Sequence, residues 1–259
     1  MGDDMIDYNL SAADILNIFN NIPKIWENAS EELSEFEKLH QIKLPAILIE
    51  FMESANLLLE TANIRTKAPR LFFDEIAYTL KHLTEQELTG NFSEYLPFTQ
   101  LSKEHWDELI DEYIIIGSDY GAGIVDFGIR KMDLFLENPP VYQQYETDSV
   151  LDDWELVWNH LSEYLLTVVC DALMETDYRT AREVLRKNGW TYKTYRTKPH
   201  RDSLLSEYQI DSAKLLYIPF VFSIAKKDYI SCCYDKNRNV FFLFRNIRSQ
   251  KKIIVISQK

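Results

Sequence analysis

Residues 117–126 read Gly-Ser-Asp-Tyr-Gly-Ala-Gly-Ile-Val-Asp, a stretch with three glycines and two separated aspartates. A glycine-rich loop can wrap a phosphate with its backbone N–H groups, and two nearby carboxylates can begin a cation site. Neither chemistry fits the spacing. No Lys-Ser or Lys-Thr follows the glycines, and Asp126 stands where the third glycine of G-x-G-x-x-G belongs. A phosphate would meet Asp119 and Asp126 with no cation beside it in the sequence, which is repulsive. Two carboxylates also fall short of the roughly six oxygens that calcium takes. The expected role of Gly117, Gly121 and Gly123 is conformational, supplying positive φ in a tight strand–turn–strand connection. That connection would carry Asp119 and Tyr120 to the rim, with Asp126 on the second strand, and these three are the candidate partner-facing residues. No metal and no cofactor is expected.

Other reactive groups do not assemble into a catalytic set. The carboxylate pairs Glu31-Glu32, Asp74-Glu75, Asp107-Glu108, Asp111-Glu112 and Asp152-Asp153 are too alike for one to stand out as an acid–base pair. Their ordinary reading is solvated helix faces. No G-x-S-x-G marks a nucleophile elbow. There is no C-x-x-C and no H-E-x-x-H, and the five histidines are scattered, which argues against zinc. Cys170, Cys232 and Cys233 make no disulfide framework. The expectation is a protein that is not an enzyme.

Charge is more informative. The chain of 259 residues has a net charge of −13. Residues 179–259 carry eighteen Lys and Arg against six Asp and Glu, a net +12; residues 1–178 carry ten against thirty-five, a net −25. Such asymmetry speaks to partners rather than to fold. It predicts a boundary near Thr176–Tyr178, with an acidic domain over 1–178 and a basic segment over 179–259. The basic segment is either a separate subdomain or an extension of the same domain. Arg179, Arg182, Arg186 and Lys187, followed by Lys193, Arg196, Lys198 and Arg201 with Trp190, Tyr192 and Tyr195 interleaved, is the one pattern suited to nucleic acid. Docking on the chain's own acidic body is the plainer alternative. No run approaches the ~18 apolar residues of a membrane helix, and Met1-Gly2-Asp3-Asp4 has no secretory character, so a cytoplasmic location is expected.

The elements that must position these residues follow from periodicity. Pro23–His40 predicts a helix, with Trp26, Ala29, Leu33, Phe36 and Leu39 at three- and four-residue steps. Pro45 suits the first turn of a second helix striped by Ile47, Leu48, Phe51, Met52 and Ala55. Further helices are expected around Phe73–Leu83 and after Ser102. Ile114-Ile115-Ile116 predicts a buried strand, and "MDLFLE" and "VYQQYE" shorter strands flanking Pro139-Pro140. A helix is predicted from Asp152 or Asp153 through Ala172, on the register Trp154, Val157, Trp158, Leu161, Leu165 and Val168. Another runs from Asp177 to Lys187 and stops at Asn188-Gly189. "WTYKTYR" is strand-like, and the apolar runs beyond it predict a three- or four-stranded antiparallel meander with a hairpin at "DKNRN".

Leu44-Pro45 with Glu50-Phe51 resembles the amino-terminal signature of the SUKH superfamily, which includes fungal cell-wall-assembly regulators and many bacterial immunity proteins. The order of later features is similar: "IIIGSDYGAGIVDF", then "PPVYQQY", then "WELVWNHLSEYLL", so that the resemblance spans roughly residues 20–175. Ser54-Ala55-Asn56-Leu57 stands where relatives place an Asn-Gly-Gly-like turn, and the helix is expected to run on there. The resemblance implies an α+β fold: a mixed, mainly antiparallel central sheet with helices packed around it. The basic β-rich carboxyl-terminal extension lies outside it. It also implies an immunity protein that binds a cognate toxin, and the −25 charge of residues 1–178 suits a cationic one, a nuclease for instance. A regulatory scaffold with no toxin is the alternative, and nucleic-acid binding through the basic segment is a further one.

Overall fold

The computed structural model describes residues 10–60, 113–119, 124–147, 150–151, 154–175, 178–195, 200–207, 216–219, 229–235, 238–247 and 250–258. The fold is α+β: helices plus two sheets, each antiparallel throughout its described pairings. The chain divides into two compact units, one of residues 26–53 and 64–164, the other of residues 1–25, 54–63 and 165–259.

In the first unit, strands β1 (Tyr113–Asp119), β2 (Ile124–Arg130), β3 (Val141–Thr147), β4 (Val150–Leu151) and β5 (Glu155–Trp158) form one sheet, in which β4 and β5 both pair with β3. The Ile run is a strand as expected, with Ile114, Ile115 and Ile116 all buried. A bulge interrupts the β1–β2 register between Ile115 and Gly117. Ile116 is the extra residue; it puts Gly117 opposite Phe127 and Ser118 opposite Asp126. Gly117 is therefore inside a strand, not in a turn, and its φ is not positive. What it provides is space: a Cβ there would lie 2.2 Å from the Tyr164 hydroxyl. The positive-φ expectation is corrected for Gly117 on this ground; Gly121 and Gly123 lie outside the described residues. On the core side of the sheet, Phe127, Trp158 and Tyr164 interlock with ring centroids 5.1–5.6 Å apart.

Among the described residues, α2 (Ala29–His40) and all but the last residue of α3 (Ala46–Ser54) belong to the first unit and precede that sheet, whereas α1 (Ala12–Ile18) belongs to the second. Glu37 of α2 is more than a solvated face residue. Its carboxylate accepts from the Leu44 N–H at 2.7 Å and faces Lys43 Nζ at 3.5 Å, which fixes the approach to Pro45 and α3. The helix predicted over Pro23–His40 begins later, as α2 at Ala29. In the second unit Lys24 bridges to Asn56, and the Ile25 N–H donates to the Ala55 carbonyl, so this stretch pairs with the chain beyond α3 instead of joining the helix.

Three further expectations are corrected. The helix does not run on past Ser54. Asn56 is buried, and its side chain accepts from the Leu58 N–H at 3.0 Å, starting a short new helix, α4 (Leu57–Glu60). "MDLFLE" is no strand but a 3₁₀ turn, Lys131–Asp133, and bends. Trp154 to Trp158 is not helical either, because Glu155–Trp158 pairs with β3 as β5. The helix, α5 (Leu161–Glu175), starts only where Leu161 N–H meets the Pro139 carbonyl at 2.7 Å and Ser162 N–H meets Asn138 Oδ1 at 3.0 Å. The helices expected around Phe73–Leu83 and after Ser102 lie outside the described residues.

The second unit holds helices α6 (Tyr178–Lys187) and α7 (His200–Glu207) and a sheet of order β6-β10-β9-β8-β7, made of Trp190–Tyr195, Gln250–Gln258, Val240–Ile247, Tyr229–Asp235 and Leu216–Pro219. The meander β7–β10 is as expected, and β10 adds β6 at its outer edge. α6 ends where Asn188 and Gly189, at φ 81°, turn the chain. The apolar runs are continuous because both sheet faces are covered. Leu204 and Leu205 pack with Val240, Phe242, Phe244, Ile253 and Val255. Phe19, just beyond α1, packs on Trp190 at 4.9 Å and Phe241 at 6.2 Å. Asn21 accepts from the Trp190 indole N–H at 3.0 Å. Among the described residues, no helix is long and apolar enough to cross a membrane.

Candidate functional site

The register of the first sheet brings several polar and aromatic side chains together on one face. Positions 126, 128 and 130 of β2 alternate onto the face that also carries Ser118 of β1 and Tyr142 and Gln144 of β3. At one end the buried Ser118 hydroxyl donates to Asp126 Oδ1 at 2.5 Å. That charge-assisted bond fixes the orientation of a half-buried carboxylate. Only the bulge makes it possible, since an unbroken register would set Gly117 opposite Asp126.

At the other end Arg130 lies over two tyrosine rings, its guanidinium carbon 4.6 Å from the Tyr142 centroid and 5.8 Å from that of Tyr113. Arg130 Nε donates to the Tyr113 hydroxyl at 3.0 Å. Tyr113 stacks on Trp154 at 4.2 Å with planes 10° apart. Trp154 fills the place a side chain at 128 would need, for a Cβ there would come within 2.9 Å of its ring. Gly128 is thus the seat of an aromatic clamp that holds Arg130. The arrangement presents a fixed carboxylate and a held guanidinium on one surface, suited to recognition by charge and hydrogen bonding.

Of the three residues singled out in the sequence, Asp126 lies on this face. Position 119 pairs with Val125, so 119 and 126 fall on opposite faces of the sheet. Tyr120 lies outside the described residues. Sequence reasoning missed Ser118, Arg130 and Trp154. A signal for Trp154 was present in the i, i+2 spacing of 154 and 156, but Trp154, Val157 and Trp158 also satisfy a helical period, and a bulge turns Trp158 to the other face. Among the described residues no group of three or more His, Cys, Asp or Glu converges as a metal site would require.

The basic segment is altered more deeply. Arg182, Arg186, Lys187 and Lys193 are exposed. The aromatics between them are not stacking platforms. Trp190 is buried against Phe19, and Tyr195 packs against the second sheet's core. Tyr192 lies under Arg182 at 5.4 Å and donates its hydroxyl to the Leu173 carbonyl at 3.1 Å. Single-strand binding through base stacking loses its aromatic half.

The model of the SMI1 / KNR4 family (SUKH-1) matches residues 28–167, more than half of the chain, and the chain belongs to that family. The match covers α2, α3 and the whole first sheet, including the Ser118–Asp126 pair and the Arg130 clamp. No curated protein and no solved structure matches the chain.

Proposed function

We propose that this chain is an immunity protein that neutralises a cognate bacterial toxin by direct protein–protein binding, without catalysis. The observation that carries the reading is the family match over the acidic first unit. That unit holds twenty-seven Asp and Glu against nine Lys and Arg, a net −18. A field of that sign suits a cationic toxin such as a nuclease and accelerates encounter, most strongly at low salt. We assign Asp126, on the face that carries the Arg130 clamp, to the partner-facing surface, with Asp119 and Tyr120, which lead in sequence into the β1–β2 connection, as a further contact. The partner is sought in the product of the neighbouring gene. The two proteins should co-purify, and the toxin's activity should fall in proportion to bound immunity protein. A neighbouring toxin that is neither bound nor inhibited ends this reading.

A further inference from the structure

The ten residues 131–140 that connect β2 to β3 are far longer than a hairpin needs, and their hydrogen bonds hold them in one shape. Leu134 N–H donates to the Lys131 carbonyl at 3.2 Å, and Leu136 N–H to the Asp133 carbonyl at 3.0 Å. The Leu134 side chain is buried. The far end is clamped to the start of α5. Asn138 donates to Ser162 Oγ at 2.9 Å and accepts from its N–H, and the Pro139 carbonyl accepts from Leu161. On this fixed scaffold Phe135 is 82% exposed, Met132 65% and Leu136 37%. Single exposed apolar side chains need no explanation, but here three lie within five residues of one tied turn. A rigid exposed aromatic binds with little loss of conformational entropy, and a neighbouring Met adapts to the shape it meets.

We infer that the Met132–Leu136 turn is the apolar anchor by which the acidic unit grips a cationic protein partner. The inference rests on the toxin-binding reading and adds the contact that decides its affinity. Charge selects the occupant. The turn belongs to the unit of net −18. A second copy of that unit would bring the same charge to the contact, and an anionic membrane would repel it. A basic protein is drawn in, and the exposed phenyl ring then enters an apolar pocket within the partner's basic surface.

The test measures binding of the neighbouring-gene toxin to wild-type protein, Phe135→Ala and Phe135→Asp, by titration calorimetry at low and high salt. Thermal unfolding of the free proteins runs alongside; because Phe135 is exposed, the Phe135→Ala midpoint should stay at the wild-type value. The expected loss is about 30-fold for Phe135→Ala, in the range of an aromatic hot spot, and similar at both salts because the contact is apolar. If wild type binds and both variants bind equally well, the anchor is wrong while toxin binding stands. If wild type does not bind, the toxin reading fails and takes the anchor with it. If sedimentation shows that wild type alone self-associates and Phe135→Asp abolishes this, the turn is a contact between copies and the inference is overturned.

Discussion

Gly117→Ala tests the packing of the first sheet at its tightest point. The added Cβ would stand 2.2 Å from the Tyr164 hydroxyl oxygen and 3.5 Å from its Cζ. Real Cβ contacts essentially never fall under 3.0 Å, so the ring or the strand must yield. Tyr164 has little room, being 3% exposed and wedged between Phe127 at 5.3 Å and Trp158 at 5.1 Å. Overpacking of this kind costs about 1–3 kcal/mol, and for a ring locked between two others we expect about 2 kcal/mol. Removing the hydroxyl leaves only the 3.5 Å approach, which is ordinary van der Waals contact. Tyr164→Phe alone should cost about 1 kcal/mol, for the lost polar interactions of a buried hydroxyl. The double variant should also cost about 1 kcal/mol, giving a favourable coupling of about 2 kcal/mol. Urea unfolding of the four proteins, followed by tryptophan fluorescence, measures all corners of the cycle. Additive losses would refute the argument, because the close approach of Tyr164 would then not be the reason for glycine.

Two further predictions concern the second unit. Asn56→Ala removes the acceptor that starts α4 and the amide that donates to the Leu16 carbonyl at 3.3 Å; it should lower stability by about 2 kcal/mol, seen as an earlier urea midpoint at unchanged slope. Burial, with smaller contributions from Cys232 and Asp235, pushes the Cys233 thiol from its ordinary 9.0 up to about 12. Iodoacetamide at pH 8.5 should therefore modify Cys233 much more slowly in the native protein than in urea, and equal rates would count against it. The folded value is the higher one, so this stabilisation is complete below pH 9 and is lost as pH rises towards 12. Cys233→Ser should flatten the decline in urea midpoint across that window.

How far the sequence is legible depends on how local each signal is. Strand β3, the stop of α6 at Asn188-Gly189 and the meander β7–β10 depend on residues within a few positions of one another, and they were read correctly. Trp154–Trp158 was not, since one apolar pattern satisfies both a helix and a strand until β3 supplies an edge to pair with. "MDLFLE" failed for a related reason. Its apolar residues suggest burial, yet Phe135 is exposed and only Leu134 is buried. The partner-facing assignment could name Asp126 but not its orientation, which depends on one extra residue in the facing strand.

By itself the sequence determined the acidic and basic division of charge and most of the strands, which follow from composition and short-range periodicity that the chain carries wherever it folds. The α+β class came with the order of motifs that resembles the family. Only the tertiary structure decided which residues meet across long separations. Phe19 against Trp190, Tyr164 against Gly117 and Asn138 against Ser162 are contacts whose sequence partners show no mutual spacing. The opening glycine shows the difference most clearly. A glycine read alone suggests a freer backbone; packed beneath Tyr164, Gly117 is the one residue small enough for the ring that lies there.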